Sequence, residues 1–348
     1  MKQLVLHFGM HKTGSTAIQQ SLYKSDLGPN WEYLDLGIPN HSGIIRSIFQ
    51  KKLCRRQKIL NISQCEFLRK KAKNRSLFES ALKACQKENV IMSGEGTCRL
   101  TKDELFNLKE TCLSLGFHTT TVGYLREPKG YIESSFQQGF KSLHELAFFE
   151  HLPYPNYRKT LTQFEEVFGN KNVSYWLYDK DRFIDRCVVK DFLSRLGVKP
   201  RQITTKQSNK AMSIYTFRFL YTYRKLGPAL IPGKLVQQHN NLLFNKLREL
   251  EGPKLSLSKE IIDPIIESNW EDIAWANSKL ENSFPFPQNT DGLPGCVGSE
   301  SDLFDFDQKS IRWLAKLIDK SPSDYCGDPH QIATWVHTLH EKLIKNSP

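Results

Sequence analysis

Leu4-Val5-Leu6-His7-Phe8-Gly9-Met10-His11-Lys12-Thr13-Gly14-Ser15-Thr16, followed by Ala17-Ile18-Gln19-Gln20-Ser21-Leu22, is an apolar run that breaks at a glycine and restarts as a helix opened by Gly-Ser-Thr. A strand-turn-helix of this kind leaves several unpaired backbone N–H groups aimed at one spot, with the positive end of a helix dipole behind them. That combination cradles a phosphate. The spacing Gly9-x-x-x-x-Gly14 is that of a triphosphate-binding loop, but the position where such a loop carries its lysine holds Ser15, and the lysine stands earlier, at Lys12. A lysine after the second glycine reaches the outer phosphates of a triphosphate, whereas one inside the loop sits nearer the first phosphate and the group attached to it. The plainer alternative is an ordinary strand-turn-helix with a solvated lysine.

Farther on, His118-Thr119-Thr120-Thr121-Val122-Gly123-Tyr124-Leu125 reads as a buried strand from its β-branched and aromatic content, and it ends at Arg126-Glu127-Pro128. Arg126 then sits at a strand's carboxyl end. Ligands of open parallel sheets bind outside that edge, so Arg126 and the Lys12 loop are expected to face one crevice. An arginine so placed also suits a plain ion pair; Ser134, eight residues on, strengthens the functional reading.

With both pieces in view, the chain resembles the sulfotransferases, of bacterial type, that use 3′-phosphoadenosine 5′-phosphosulfate (PAPS). In that family a Lys-Thr-Gly-(Ser/Thr)-Thr loop after the first strand holds the 5′-phosphosulfate, and an arginine with a serine eight places on holds the 3′-phosphate. The resemblance implies the first role for Lys12, Thr13, Gly14, Ser15 and Thr16, and the second for Arg126 and Ser134, with no metal required. It extends more faintly through Tyr175-Trp176-Leu177-Tyr178-Asp179 and Asp191-Phe192-Leu193-Ser194-Arg195-Leu196-Gly197-Val198 to about residue 285. Related enzymes place a loop near the 3′-phosphate where Ser208-Asn209-Lys210-Ala211-Met212-Ser213 stands here, which implies a cofactor contact for Asn209. N-capping of the helix running through Tyr215, Phe219 and Tyr223 explains the same residues equally well.

Sulfuryl transfer from PAPS to a hydroxyl or amine puts negative charge on the leaving phosphate and requires removal of the acceptor's proton. Lys12 suits the first task. For the second, Asn89-Val90-Ile91-Met92-Ser93-Gly94-Glu95-Gly96 offers Glu95: Val90 to Met92 reads as a strand, and Glu95 emerges at its carboxyl end. Some sulfotransferase branches use a glutamate base and others a histidine, which keeps His11, inside the loop, as the rival. Work near pH 7 is easier if the Glu95 pKa is raised above its solution value of about 4.3, by burial beside Met92 and Leu100 or by the negative sulfuryl group of the donor, and a raised value is expected. A turn residue bracketed by glycines for backbone reasons alone is the alternative for Glu95. His7, within the first strand, reads as a packed core histidine.

The 348 residues, 39% hydrophobic and 25% charged, suffice for one large α/β domain with additions. No apolar run approaches the roughly 20 residues that span a bilayer, and the apolar stretch at the start is the motif's first strand rather than a signal peptide, so a cytoplasmic protein is expected. Eight cysteines without a C-x-x-C pair argue against structural zinc and fit reduced thiols.

A net charge of +12 points to an anionic partner. Arg46, Lys51, Lys52, Arg55, Arg56, Lys58, Arg69, Lys70, Lys71, Lys73 and Arg75 crowd a stretch whose only acid is Glu66, with apolar residues at helical intervals between them, which predicts a basic helical insertion over about 36–88. Its readings are a solvated face, a groove for an anionic acceptor, or peripheral contact with anionic lipid; a nucleic-acid patch lacks any recognisable module. The expected fold is a three-layer α/β/α P-loop-like domain with a mainly parallel sheet over 1–285. A Gly/Pro/Ser/Asp-rich linker over 286–302 and a helical extension over 303–348 follow. The expected activity, resting on the resemblance, is sulfation of a hydroxyl on a carbohydrate or glycolipid, an anionic glycan included. The alternatives are a nucleotide or sugar kinase, disfavoured because no lysine follows Gly14, and a non-catalytic nucleotide- or polyanion-binding protein.

Overall fold

The computed structural model describes residues 1–142, 148–206, 212–229 and 231–347. Asn209 lies outside the described residues. Side-chain alternation sets the architecture. Along β1 (Lys2–Gly9), Leu4, Leu6 and Phe8 enter one apolar layer, while Val5 enters another and His7 packs with it against Phe192. A strand apolar on both faces must be covered on both, and here helices do so. The chain continues through α1 (Ser15–Leu22), β2 (Trp31–Tyr33), α2 (Ser42–Phe49), α3 (Arg55–Ile59), α4 (Gln64–Ala84) and β3 (Asn89–Ser93). There follow α5 (Lys102–Ser114), β4 (Phe117–Leu125), α6 (Pro128–Ser142), α7 (Tyr157–Phe168), β5 (Val173–Leu177) and α8 (Val188–Arg195).

The five strands form one sheet in the order β2-β3-β1-β4-β5, all pairs parallel. Residues of α1 and α8 pack on Val5, Ile91, Val122 and Tyr124; residues of α2, α4, α5 and α7 pack on Leu4, Leu6, Phe8, Val90, Met92 and Leu125. This is the three-layer α/β arrangement, with helices of the 36–88 stretch forming part of one outer layer. Each large apolar side chain taken fully out of water is worth roughly 1.5–3 kcal/mol.

β2 was not expected: three residues on an edge carry too short a pattern to register as a strand. Chain order reverses at β1, whose crossover runs to the β2/β3 side while β4 lies on the other side of it. The crevice above β1 and β4 is therefore the switch point.

The remaining elements are α9 (Ile214–Leu226), α10 (Val236–Leu247), β6 (Ser256–Leu257), α11 (Lys259–Ser268), α12 (Trp270–Ser278), β7 (Cys296–Val297), α13 (Gln308–Leu317) and α14 (Pro329–Lys345). Ile132, Phe136 and Phe140 of α6 share a second core with Phe217, Leu220, Leu243, Leu314, Trp335 and Val336. Within 286–302, β7 pairs with β6, and Lys129 on α6 donates to the Gln288 carbonyl at 2.7 Å and to Thr290 Oγ1 at 2.9 Å. The C-terminal helices thus buttress α6, one face of which borders the crevice. Among the described residues no helix is long and apolar enough to cross a membrane.

Candidate active site

The phosphate-loop candidate leaves β1 through a local register shift between His7 and Gly9 against β4, and Met10 N then donates to the Tyr124 carbonyl at 3.0 Å. Gly9 has φ +110°, and a Cβ there would lie 2.9 Å from Glu95 Cβ. Lys12 itself takes the left-handed conformation at φ +68°, as does Gly14 at +79° immediately before α1. Successive turns of this kind point backbone N–H groups into a concavity that accepts anions. Thr13 is fully buried and donates from Oγ1 to the Met10 carbonyl at 2.6 Å; Ser15 Oγ reaches the same carbonyl at 3.4 Å. Both hydroxyls therefore brace the loop in this state. Thr16 is exposed.

Arg126 emerges from β4 and donates from Nη1 to the Lys12 carbonyl at 3.1 Å, so the two motifs meet. Its guanidinium also lies 5.7 Å from the Tyr178 ring centre. Lys12 Nζ donates to Gln138 Oε1 at 3.2 Å. Gln138 thus meets the loop and the Lys141 charge acts on Lys12, and Ser134 lies one turn before Gln138 on the same face of α6. The surroundings are cationic. Burial, and then the charges of Lys141 and Arg126, push the Lys12 ammonium down to about 8, and Lys180 is lowered by burial, Arg126 and Lys254. Cations that depress one another across a crevice define a place where an anion is stabilised.

Glu95 opens a 3-10 turn over Glu95–Arg99 directly after β3. Gln19 Nε2 donates to its Oε2 at 2.8 Å, Ser42 Oγ to the same oxygen at 3.2 Å, and Asn40 Nδ2 to Oε1 at 3.1 Å. Burial favours the neutral acid, but the His11 charge and the Gln19 and Asn40 hydrogen bonds outweigh it, and the pKa is lowered. The expectation that burial raises the Glu95 pKa is thereby corrected: the His11 charge and donors from α1 (Gln19), the loop before α2 (Asn40) and the start of α2 (Ser42) surround the carboxylate. The His11 charge acts on Glu95, so the two candidate bases are electrostatic neighbours. His7 is the packed histidine expected, its Nδ1 2.8 Å from Ser93 Oγ and its pKa pushed down to about 4 by burial.

Gln19, Asn40, Ser42, Gln138 and Lys141 were not singled out from the sequence. The signal was present for some of them: Gln138 and Lys141 lie four and seven residues after Ser134, and Gln19 lies four after Ser15. In the basic stretch, Lys51, Lys71 and Arg75 line a cleft with Glu110, but Lys51 pairs with Asp103 at 3.0 Å and Arg75 with Glu79 at 3.6 Å, so part of that charge is locally balanced. Among the described residues no group of three or more His, Cys, Asp or Glu side chains is arranged to hold a metal ion.

No protein-family model and no curated protein matches this chain. Among solved structures it is similar to a sulfotransferase from Alicyclobacillus acidocaldarius, at 14% identity over 64% of this chain and 90% of that one, with a TM-score of 0.37. A likeness at that level carries no weight for the activity, which has to stand on the loop, the crevice and Glu95.

Proposed function

We propose that this protein transfers a sulfuryl group from PAPS to a hydroxyl, on a carbohydrate or glycolipid acceptor. The observation that carries the reading is the meeting of Arg126 with the Lys12 loop at the sheet's switch point, in front of the α1 N-terminus and beside Glu95. The residues present fit the donor. Lys12, Thr13, Gly14, Ser15 and Thr16 would hold its 5′-phosphosulfate, and Arg126 with Ser134 its 3′-phosphate; the depressed Lys12 ammonium is the mark of a cation that gains from an arriving anion. PAPS supplies the activated sulfuryl group.

Glu95 takes the acceptor's proton as the acceptor oxygen bonds to sulfur, with His11 coupled to its charge. Lys12 neutralises the charge that gathers on the 5′-phosphate oxygen as its bond to sulfur breaks, leaving the 3′,5′-bisphosphate. Gln19, Asn40 and Ser42 keep the Glu95 carboxylate in place. Incubation with sulfur-labelled PAPS and a panel of neutral and acidic saccharides tests the reading: label should pass to a saccharide with the wild type and not with Lys12→Ala. Transfer of phosphate from ATP, with none of sulfate from PAPS, would sink it.

A further inference from the structure

The glycines on either side of Glu95 answer to α2. A Cβ at Gly94 would lie 2.9 Å from Ser42 N and 3.0 Å from Ile45 Cδ1, and one at Gly96 would lie 2.9 Å from both Ser42 Cβ and Arg46 Cδ. Helix α2 is thus seated on the turn that carries Glu95, with Ser42 and Arg46, one turn apart, on the seated face. Helical side chains lean toward the N-terminus, which runs the Arg46 stem along Gly96, next to Glu95.

Ser42 uses its hydroxyl on that turn, donating to Glu95 Oε2 and accepting from Gly96 N at 3.0 Å. Arg46 does not. Its Nε is buried and has no hydrogen-bond partner among the described residues, while the side chain as a whole stays partly open to solvent. A donor removed from water and left without an acceptor is unfavourable. The nearby carboxylate does not supply the acceptor in this arrangement: Glu95 takes its hydrogen bonds from Gln19, Asn40 and Ser42, and Arg46 Nε is left without one. What is missing is an oxygen from another molecule. A guanidinium's planar fork matches the paired oxygens of a carboxylate or sulfate.

We propose that Arg46 binds a carboxylate or sulfate carried by the acceptor, so that the acceptor class is an acidic saccharide and Arg46 sets that specificity. This rests on the sulfotransferase reading of the same crevice. Arg46 acts in positioning and selection, not in the transfer step.

The test uses the full chain saturated with the 3′,5′-bisphosphate, and three probes: methyl glucuronide, methyl glucoside 6-sulfate and uncharged methyl glucoside. At least one anionic probe should bind the wild type about tenfold more tightly than the neutral one, as a charge-assisted pair implies. The two anionic arms tell carboxylate from sulfate. Arg46→Gln should erase the preference, Arg46→Lys should restore part of it, and bisphosphate affinity should be the same in all three proteins. In turnover the variants should raise KM for the charged acceptor and leave kcat near wild type. Equal affinities for the three probes in the wild type overturn the proposal, as does a preference that survives Arg46→Gln; the wild-type comparison decides alone if Arg46→Gln does not fold. Failure of the bisphosphate to bind the wild type instead strikes the donor reading, so the two failures are told apart.

Discussion

Arg126 donates from Nη1 to the backbone carbonyl of Lys12 at 3.1 Å, joining residues 114 positions apart. The bond ties the end of β4 to a loop that leaves β1, and it holds a residue whose own backbone is left-handed. A non-glycine residue in that conformation costs roughly 1–2 kcal/mol and persists where its surroundings fix it. Arg126 therefore serves the loop's shape as well as the crevice's charge.

Glu95→Gln keeps the shape of the side chain and removes the proton acceptor. Turnover should fall by roughly 100- to 10,000-fold while bisphosphate affinity stays unchanged. Because the Glu95 pKa is lowered from its ordinary value, the carboxylate is charged near neutrality and Glu95 contributes no acid limb there in the unliganded enzyme. The profile of rate against pH for the wild type, Glu95→Gln and His11→Ala checks this. A limb near neutrality that vanishes in His11→Ala makes the histidine the base; one that vanishes in Glu95→Gln contradicts the carboxylate's setting.

Lys12 is held at about 8 against an ordinary 10.5, first by burial and then by Lys141 and Arg126. Between those values the unfolded chain keeps a proton that the folded chain has shed, so the Lys12 contribution to stability rises with pH across that window and is a cost below it. Lys12→Met should raise the unfolding temperature of the unliganded protein near neutral pH, yet lower turnover by roughly 100- to 1000-fold. Bisphosphate binding by the wild type should weaken as pH climbs past about 8. Thermal unfolding and titration on either side of that value read both effects, and an unliganded Lys12→Met that is less stable refutes the assignment.

Two alanine substitutions near Glu95 should have opposite signs. At Gly94 the new Cβ meets the backbone of Ser42, which cannot turn aside, so Gly94→Ala should lose about 1–3 kcal/mol and also depress turnover by displacing Ser42 and Asn40. At Gly43, inside α2, a Cβ meets nothing within 4 Å, and Gly43→Ala should gain about 0.5–1 kcal/mol from helix propensity. Denaturant midpoints of the two variants measure the contrast.

Three of the five strands of the main sheet were legible because runs such as Leu4 to Phe8, Thr119 to Leu125 and Val90 to Met92 are dense in β-branched and apolar residues, whereas β5 was met only as a stretch of family likeness; the loop was legible because glycines and a lysine at fixed spacing have few other uses. The surroundings of Glu95 were not. Met92 and Leu100 suggested an apolar pocket, whereas its pKa is lowered by the His11 charge and by donors from Gln19 and Asn40, up to 76 residues away. Its bracketing glycines looked like turn residues; they are packing residues, required by a helix that the sequence could not assign to that spot. Side-chain periodicity finds elements, and long-range hydrogen bonds settle what a titratable group does.

The central claim is that the crevice between the Lys12 loop and Arg126 grips a nucleotide carrying both 5′- and 3′-phosphates. A titration of the wild type and Arg126→Ala with 3′-phosphoadenosine 5′-phosphate and with AMP tests it directly. A charge-assisted contact to the 3′-phosphate is worth roughly 1.5–3 kcal/mol, so the wild type should bind the bisphosphate at least tenfold more tightly than AMP, and Arg126→Ala should abolish that margin. Equal affinities of the wild type for the two nucleotides would contradict the account.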